Sequence, residues 1–294
     1  MPYVTASDGC RLYYEVKGKQ DGPAIFIGYP WIDSLKAIML STGAYENKAE
    51  YEAGLSSNKI VIDAFVDRYK VVCIDFPRGY GKTDVGSFTP DKVASDLVAI
   101  ADGAGVDKFV LLGFSLSAGY SLKAAYRTSR CAGLVIGGWA PLEGGFVDMI
   151  NGLTNKKTNR LLMLLRITLK IKMVKLFMNK EKYRVLSEQL SMFESTKEYY
   201  YSIINSQFND EVETPKLKQK IKYLFYGSED LGVPEMDLAT EIAPTIRRRQ
   251  KELEELGWTV VEHKGFDHKG VSETSEGVKI FLSSALSYLE EYSW

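Results

Sequence analysis

Residues 109–120 read Phe109-Val110-Leu111-Leu112-Gly113-Phe114-Ser115-Leu116-Ser117-Ala118-Gly119-Tyr120, a dense apolar run that gives way at once to helix formers. The run 109–113 has the composition of a strand buried on both faces, and 118–127 (AGYSLKAAYR) that of a helix. A serine on so sharp a strand-to-helix turn projects its hydroxyl above the edge of the sheet. The strained backbone leaves room only for small residues two positions to either side, and Gly113 and Ser117 meet that demand. The turn also aims the start of the helix, with the Leu116 N–H, at the centre the serine attacks, where that donor can stabilise an oxyanion. Ser115 is therefore a candidate nucleophile.

Similar runs recur on both sides of this segment. Residues 24–28 (AIFIG), 70–75 (KVVCID), 133–136 (GLVI), 221–226 (IKYLFY) and 258–262 (WTVVE) are short, apolar and β-branched, as parallel strands are when helices cover both faces. Cys10, Leu12, Tyr14 and Val16 alternate with polar neighbours, the pattern of an edge strand wet on one face. Thr89, Pro90 and Asp91 supply an N-cap, a first-turn proline and an acid, so a helix is expected from there to about Ala104, stopped by Gly105. A charged helix is expected over 241–256, stopped by Gly257, and an amphipathic one over 276–292. Residues 142–218 break the rhythm: they hold no strand-like run and are rich in helix formers, methionine and aromatics. They read as a helical insertion between core segments 1–141 and 219–294.

Composition narrows the function. The 294 residues are 45% hydrophobic and 26% charged, ordinary for a globular chain, which excludes disordered and fibrous classes. With 37 basic and 38 acidic residues there is no basic excess to attract nucleic acid. The trio Arg247, Arg248 and Arg249 reads as a solvated helix face, with Arg248 pairing to Glu252 and Lys251 to Glu255 at i,i+4. Residues 161–178 are the nearest approach to a membrane span, but Arg166, Lys170, Lys172 and Lys175 make insertion too costly. Residues 151–183 carry nine basic residues against one acid, read as charge facing water, with an anionic surface or acidic ligand as the alternative. Cys10, Cys73 and Cys131 form no CxxC or Cys/His cluster, so no metal is expected. The start MPYVTASDG has no signal-peptide pattern, and a reduced, cytoplasmic setting follows.

A serine nucleophile needs a base, and the chain has two histidines. His263 ends the strand-like run WTVVE and reads as a surface residue. His268 follows in the loop KGFDH, from which a side chain can reach over the sheet edge, so it is the candidate base. The imidazole needs a carboxylate to set its tautomer and stabilise its charged form. Asp230 lies just past the strand IKYLFY, on the same sheet edge; Glu229 reads as a solvated loop acid, and Glu143 is the rival orienting acid.

Taken together, Gly113-Phe114-Ser115-Leu116-Ser117, Asp230 and His268, in that chain order, resemble the α/β-hydrolase family. Asp75-Phe76-Pro77-Arg78-Gly79-Tyr80-Gly81 is similar to that family's D-x-x-G-x-G loop with one extra residue. The ending Gly81-Lys82-Thr83 imitates a phosphate loop, but Phe76 stands where a Walker A motif needs glycine. The resemblance implies an α/β fold with a mostly parallel, eight-stranded sheet flanked by helices, and a helical cap, here 142–218, inserted after the sixth strand. It implies a serine hydrolase without metal or organic cofactor, cleaving an ester or related acyl bond of a small hydrophobic molecule. Where the family carries His-Gly-x-Pro, this chain has Ile27-Gly28-Tyr29-Pro30, so the Tyr29 N–H is expected to join the Leu116 N–H in the oxyanion hole, with the Trp31 N–H as a second possibility. Pro30 has no N–H to give. Trp31, Phe114 and Trp139 are the candidate substrate contacts. Serine in place of aspartate disfavours epoxide-hydrolase and dehalogenase chemistry. A small-molecule receptor with little turnover, or a C–C hydrolase, lyase or cofactor-free oxygenase using the same Ser/His pair, stays open beside the esterase reading.

Overall fold

In the computed structural model the apolar runs become neighbouring strands of one sheet. The structure describes residues 3–28, 30–31, 48–79, 81–143, 210–233, 238–239 and 241–294. Its strands are β1 (Tyr3–Thr5), β2 (Arg11–Gly18), β3 (Ala24–Ile27), β4 (Lys70–Ile74), β5 (Phe109–Phe114), β6 (Cys131–Gly137), β7 (Ile221–Gly227), the short pair β8 (Gly232–Val233) and β9 (Leu238–Ala239), and β10 (Thr259–His263). The main sheet has eight strands in the order β1-β2-β4-β3-β5-β6-β7-β10. The pairs β1–β2 and β2–β4 are antiparallel, and every pairing from β4 through β10 is parallel.

Alternation along the strands divides the interior in two. Val72 and Ile74 of β4 face one core, Val71 and Cys73 the other. The first core is closed by helices α2 (Pro90–Gly103), α3 (Leu116–Arg127) and α5 (Ile242–Glu255), through Leu97, Tyr120 and Ile246 among others. The second is closed by α1 (Lys48–Val66) and α7 (Ser275–Leu289), through Val61, Phe65 and Phe281. Two short helices, α4 (Asp210–Glu213) and α6 (His268–Glu273), complete the set among the described residues.

Helix ends follow their local chemistry. Thr89 caps α2, its hydroxyl accepting from the Lys92 N–H at 3.4 Å, and Gly105 adopts φ 62° just beyond the far end. Gly257, at φ 83°, lies just past the end of α5.

Three expectations need correction. β2 is not an edge strand: Tyr3–Thr5 adds β1 outside it, and Tyr13 is covered by the Tyr3 ring at 5.1 Å and by Lys82 Nζ at 4.2 Å, so Leu12, Tyr13 and Tyr14 are all buried. His268 is not in a loop but begins α6, because Asp267 caps it by accepting from the Gly270 N–H. Glu252 pairs with Arg249 at 2.7 Å, and Arg248 reaches instead to Glu143 at 2.7 Å; Lys251 does face Glu255, at 3.8 Å.

Among the described residues no helix is long and apolar enough to cross a membrane. Residues 161–178, and the 144–209 part of the insertion, lie outside the described residues.

The loop after β4 is held by a buried cation. Arg78, only 2% exposed, makes two hydrogen bonds of 2.7 Å to Asp96 on α2 and two more, of 2.7 and 3.1 Å, to Asp8. Asp75 accepts from the Lys82 N–H at 2.6 Å and so closes the loop from inside. Removing one partner from a buried pair leaves its mate desolvated and uncompensated. Asp96→Ala should therefore lower stability by about 3 kcal/mol, seen as an earlier urea midpoint with an unchanged slope.

Candidate functional site

Ser115 stands alone between β5 and α3 with φ 56° and ψ −125°, a left-handed conformation that costs a residue with a Cβ. Its neighbours hold it there. The Ser115 N–H donates to Gly137 O at 2.9 Å, tying the turn to the end of β6, and its carbonyl accepts from the Ala118 N–H at 3.0 Å. A Cβ on Gly113 would lie 2.8 Å from Ser117 O and 2.9 Å from Ser121 Oγ, so only glycine fits. Ser117, where the family pattern has glycine, uses its hydroxyl as a brace: Oγ accepts from the Phe114 N–H at 2.7 Å and lies 2.9 Å from the Phe114 carbonyl.

The loops after β7 and β10 bring two more groups to the same edge. His268 Nε2 lies 3.0 Å from Ser115 Oγ, and its Nδ1 lies 2.9 and 3.1 Å from the two oxygens of Asp230. An ionised carboxylate only accepts, so the Nδ1 proton belongs to this contact and Nε2 is left with a lone pair toward the serine hydroxyl. Asp230 is fully buried; its Oδ1 accepts from the Gly232 N–H at 3.0 Å, and its backbone carbonyl accepts from Ala243 N–H of α5 at 2.7 Å. The His268 ring rests on Phe114, centroids 4.8 Å apart. Gly138, at φ 58°, closes the other approach: a Cβ there would sit 2.5 Å from Phe114 Cζ and 2.9 Å from His268 Cε1.

The remaining candidates fall as follows. The Leu116 N–H is in the first turn of α3, where no intrahelical acceptor exists, so it is available. Tyr29 lies outside the described residues. The Trp31 N–H is spent on Gly28 O at 3.0 Å and is no longer a candidate oxyanion donor. The side chains of Trp31, Phe114 and Trp139, expected at the substrate, are 0%, 1% and 5% exposed and are engaged inside the protein. The Trp31 indole donates to Ser272 O at 3.0 Å, Phe114 supports His268, and the Trp139 indole donates to Asp210 at 2.9 Å. Large aromatics at strand ends fill space beneath the site as readily as above it.

Glu229 is exposed, as expected of a loop acid, and Glu143 is held by Arg248 and Arg249. His263 is not a surface residue. It is 6% exposed, beside Phe225 at 6.3 Å, and its Nε2 has no hydrogen-bond partner. Gly138, the Ser117 brace and the Asp267 cap were not singled out from the sequence; the doubled glycine 137–138 after a strand was the one available signal. Cys10, Cys73 and Cys131 are buried and form no disulfides, and among the described residues no cluster of three or more His, Cys, Asp or Glu side chains could hold a metal ion.

No protein-family model matches the chain. No curated protein matches it by sequence. Solved structures do match over the whole length. A carboxylesterase of the thaumarchaeon Nitrososphaera gargenis aligns with a TM-score of 0.62 at 15% identity, covering 99% of this chain and 100% of that one. An enol-lactonase of Burkholderia xenovorans gives 0.57 at 17% identity, covering 98% and 100%. An epoxide hydrolase of the α/β-hydrolase superfamily, from metagenomes of hot environments, gives 0.59 at 18% identity, covering 97% of each.

Burial holds the His263 imidazole below its ordinary pKa of 6.5, so it is kept neutral in the fold. The unfolded chain takes up that proton more readily, so this residue's contribution is present above pH 6.5 and lost as the pH falls below it. Urea midpoints compared between about pH 7 and 5 should fall less for His263→Leu than for the parent chain. An identical pH dependence in the two would show that His263 does not titrate with folding.

Proposed function

We propose that this chain, which has the α/β-hydrolase fold, is a serine hydrolase that cleaves an ester or related acyl bond of a small hydrophobic molecule through an acyl-enzyme. One observation carries the reading: Ser115 Oγ, His268 and Asp230 stand in a hydrogen-bonded line on one sheet edge, at 3.0 and 2.9 Å.

In this mechanism His268 Nε2 takes the Ser115 proton as Oγ attacks the substrate carbonyl. Asp230 keeps the imidazole in the required tautomer and stabilises the imidazolium that forms. The new oxyanion meets the Leu116 N–H and the positive end of α3, with the Tyr29 N–H as the proposed second donor. His268 then returns the proton to the leaving oxygen, and the acyl group remains on Ser115. A water molecule attacks the acyl carbon in turn, giving its proton to His268, and release of Ser115 restores the starting state. Epoxide opening through an alkyl ester needs a carboxylate nucleophile; a serine at position 115 fits acyl transfer instead.

Residues 142–218 are proposed as the cap over this edge. Its two described feet support an inserted unit. Thr214 Oγ1 donates to Pro141 O at 2.6 Å, so the chain leaves and returns at one place. Glu143 is clamped by Arg248 and Arg249, while Asp210 and Glu213 pair with the buried Lys123 of α3, at 2.8 and 2.9 Å, and Arg127 also holds Glu213. The aromatics of the cap sequence, Phe177, Tyr199, Tyr200 and Phe208 among them, suit an apolar substrate. Three buried cysteines outside any disulfide fit a reducing compartment such as the cytoplasm.

A fluorophosphonate probe followed by peptide mass spectrometry tests the nucleophile. The expected result is stoichiometric label on Ser115, absent in Ser115→Ala and strongly reduced in His268→Ala. Against a short-chain aryl ester, either substitution should cost about 10⁴-fold or more in kcat. A folded protein that takes no label and turns over no ester overturns the acyl-enzyme, and the receptor or proton-transfer readings then lead. Gly138→Ala should push the His268 ring aside and lower kcat by about 10²-fold, with ester KM little changed.

A further inference from the structure

Trp31 is fully buried and touches side chains and backbone that come from distant stretches of chain. Its backbone N–H donates at 3.0 Å to the carbonyl of Gly28, just past the end of β3. Its indole Nε1 donates to Ser272 O at 3.0 Å, on the helix that begins with His268. Its ring stacks on Phe281 of α7, centroids 5.4 Å apart, and meets Phe114, the residue before Ser115, at 6.2 Å.

The indole bond matters because α6 cannot hold itself. The helix has six residues, too few to be stable alone, and the carbonyls of its last turn have no intrahelical partners. Ser272 O accepts a hydrogen bond from the Trp31 indole, and the Ser57 hydroxyl of α1 donates to the next carbonyl, that of Glu273. Both anchors act at the end of α6 opposite His268, so they set where the helix sits and with it the 3.0 Å contact between His268 and Ser115.

We propose that Trp31 is a positioning residue that couples Phe114, the residue before Ser115, to the helix bearing His268, keeping base and nucleophile in one frame. The role rests on the hydrolase reading given above. Replacing Trp31 with phenylalanine keeps an aromatic ring but removes the N–H donor and part of the ring volume, which leaves Ser272 O buried without its hydrogen bond.

The test compares Trp31→Phe with Phe109→Leu, a core substitution at the opposite end of β5 that stacks on Phe26 and touches nothing in the site. Three quantities are measured on each: Tm, the kcat and KM for an aryl ester, and the NMR signal of the His268 Nδ1–H that is shared with Asp230. For Trp31→Phe the expected result is a fall of about 10-fold in kcat and in fluorophosphonate labelling rate, an unchanged KM, and an upfield or broadened Nδ1–H signal. Phe109→Leu should lower Tm with kcat and the proton signal as in the parent chain. Equal behaviour of the two variants, with Tm alone affected, overturns the proposal. A parent chain that turns over no ester while Trp31→Phe still shifts the Nδ1–H signal would sink the hydrolase reading and leave the positioning role standing.

Discussion

The left-handed backbone of Ser115 is the constraint on which the rest of the site depends. A residue with a Cβ in so sparsely populated a conformation costs about 1–3 kcal/mol, and it persists only where its surroundings over-determine it. Here the N–H is bound to Gly137 O, the carbonyl is taken by the first turn of α3, and the Ser117 hydroxyl is tied to both backbone groups of Phe114. The same arrangement explains residues that would otherwise look arbitrary. Gly113 is required by the closeness of Ser117 O, and Gly137 by the Phe225 ring, 2.5 Å from where a Cβ would be. The end of the elbow thus admits only glycine at one position on each of two strands, β5 and β6.

Sheet register then decides which loops can meet. Phe114 is paired with Gly137, Gly137 with Phe225, and Gly227 with His263, so β5, β6, β7 and β10 end nearly level. Loops leaving a level edge of parallel strands face one another, which is why an acid after β7 and a histidine after β10 converge on a serine after β5. The core beneath needs apolar volume and little else. That division of labour fits a chain that shares its architecture with solved structures at 15 to 18% identity.

What could be read in the sequence is what depends on local chemistry. Thr89-Pro90-Asp91 starts a helix because capping involves only neighbouring residues, and Gly113 and Ser117 mark a crowded turn for the same reason. Asp230 and His268 could be placed on one edge because strand direction in a parallel sheet puts every functional loop on the same side. Partners distant in the chain could not be read. Tyr3–Thr5 is too short to announce itself as a strand until it pairs with β2. Glu252 and Glu143 compete for neighbouring arginines, and the competition is settled by where the foot of the insertion lands. The burial of His263 and Trp31 depends on Phe225, Phe281 and Ser272, which spacing along the chain does not connect to them.

The two departures from the family pattern share one physical character. At position 27 isoleucine stands where the resemblance expects a histidine, but the oxyanion donor proposed from this segment is a backbone N–H, which the side chain at 27 does not supply. At position 117 serine replaces a glycine, and the space that glycine would leave holds a hydroxyl that hydrogen-bonds the elbow from within. Both differences fall where backbone groups are proposed to act, so neither removes a side chain of the proposed triad. Departures at Ser115, Asp230 or His268 would be of another kind, because in the proposed mechanism the side chain itself acts. A chain can therefore change nearly everything around such a site and keep its geometry, provided the left-handed serine, the level strand ends and the anchor of the short histidine helix are retained.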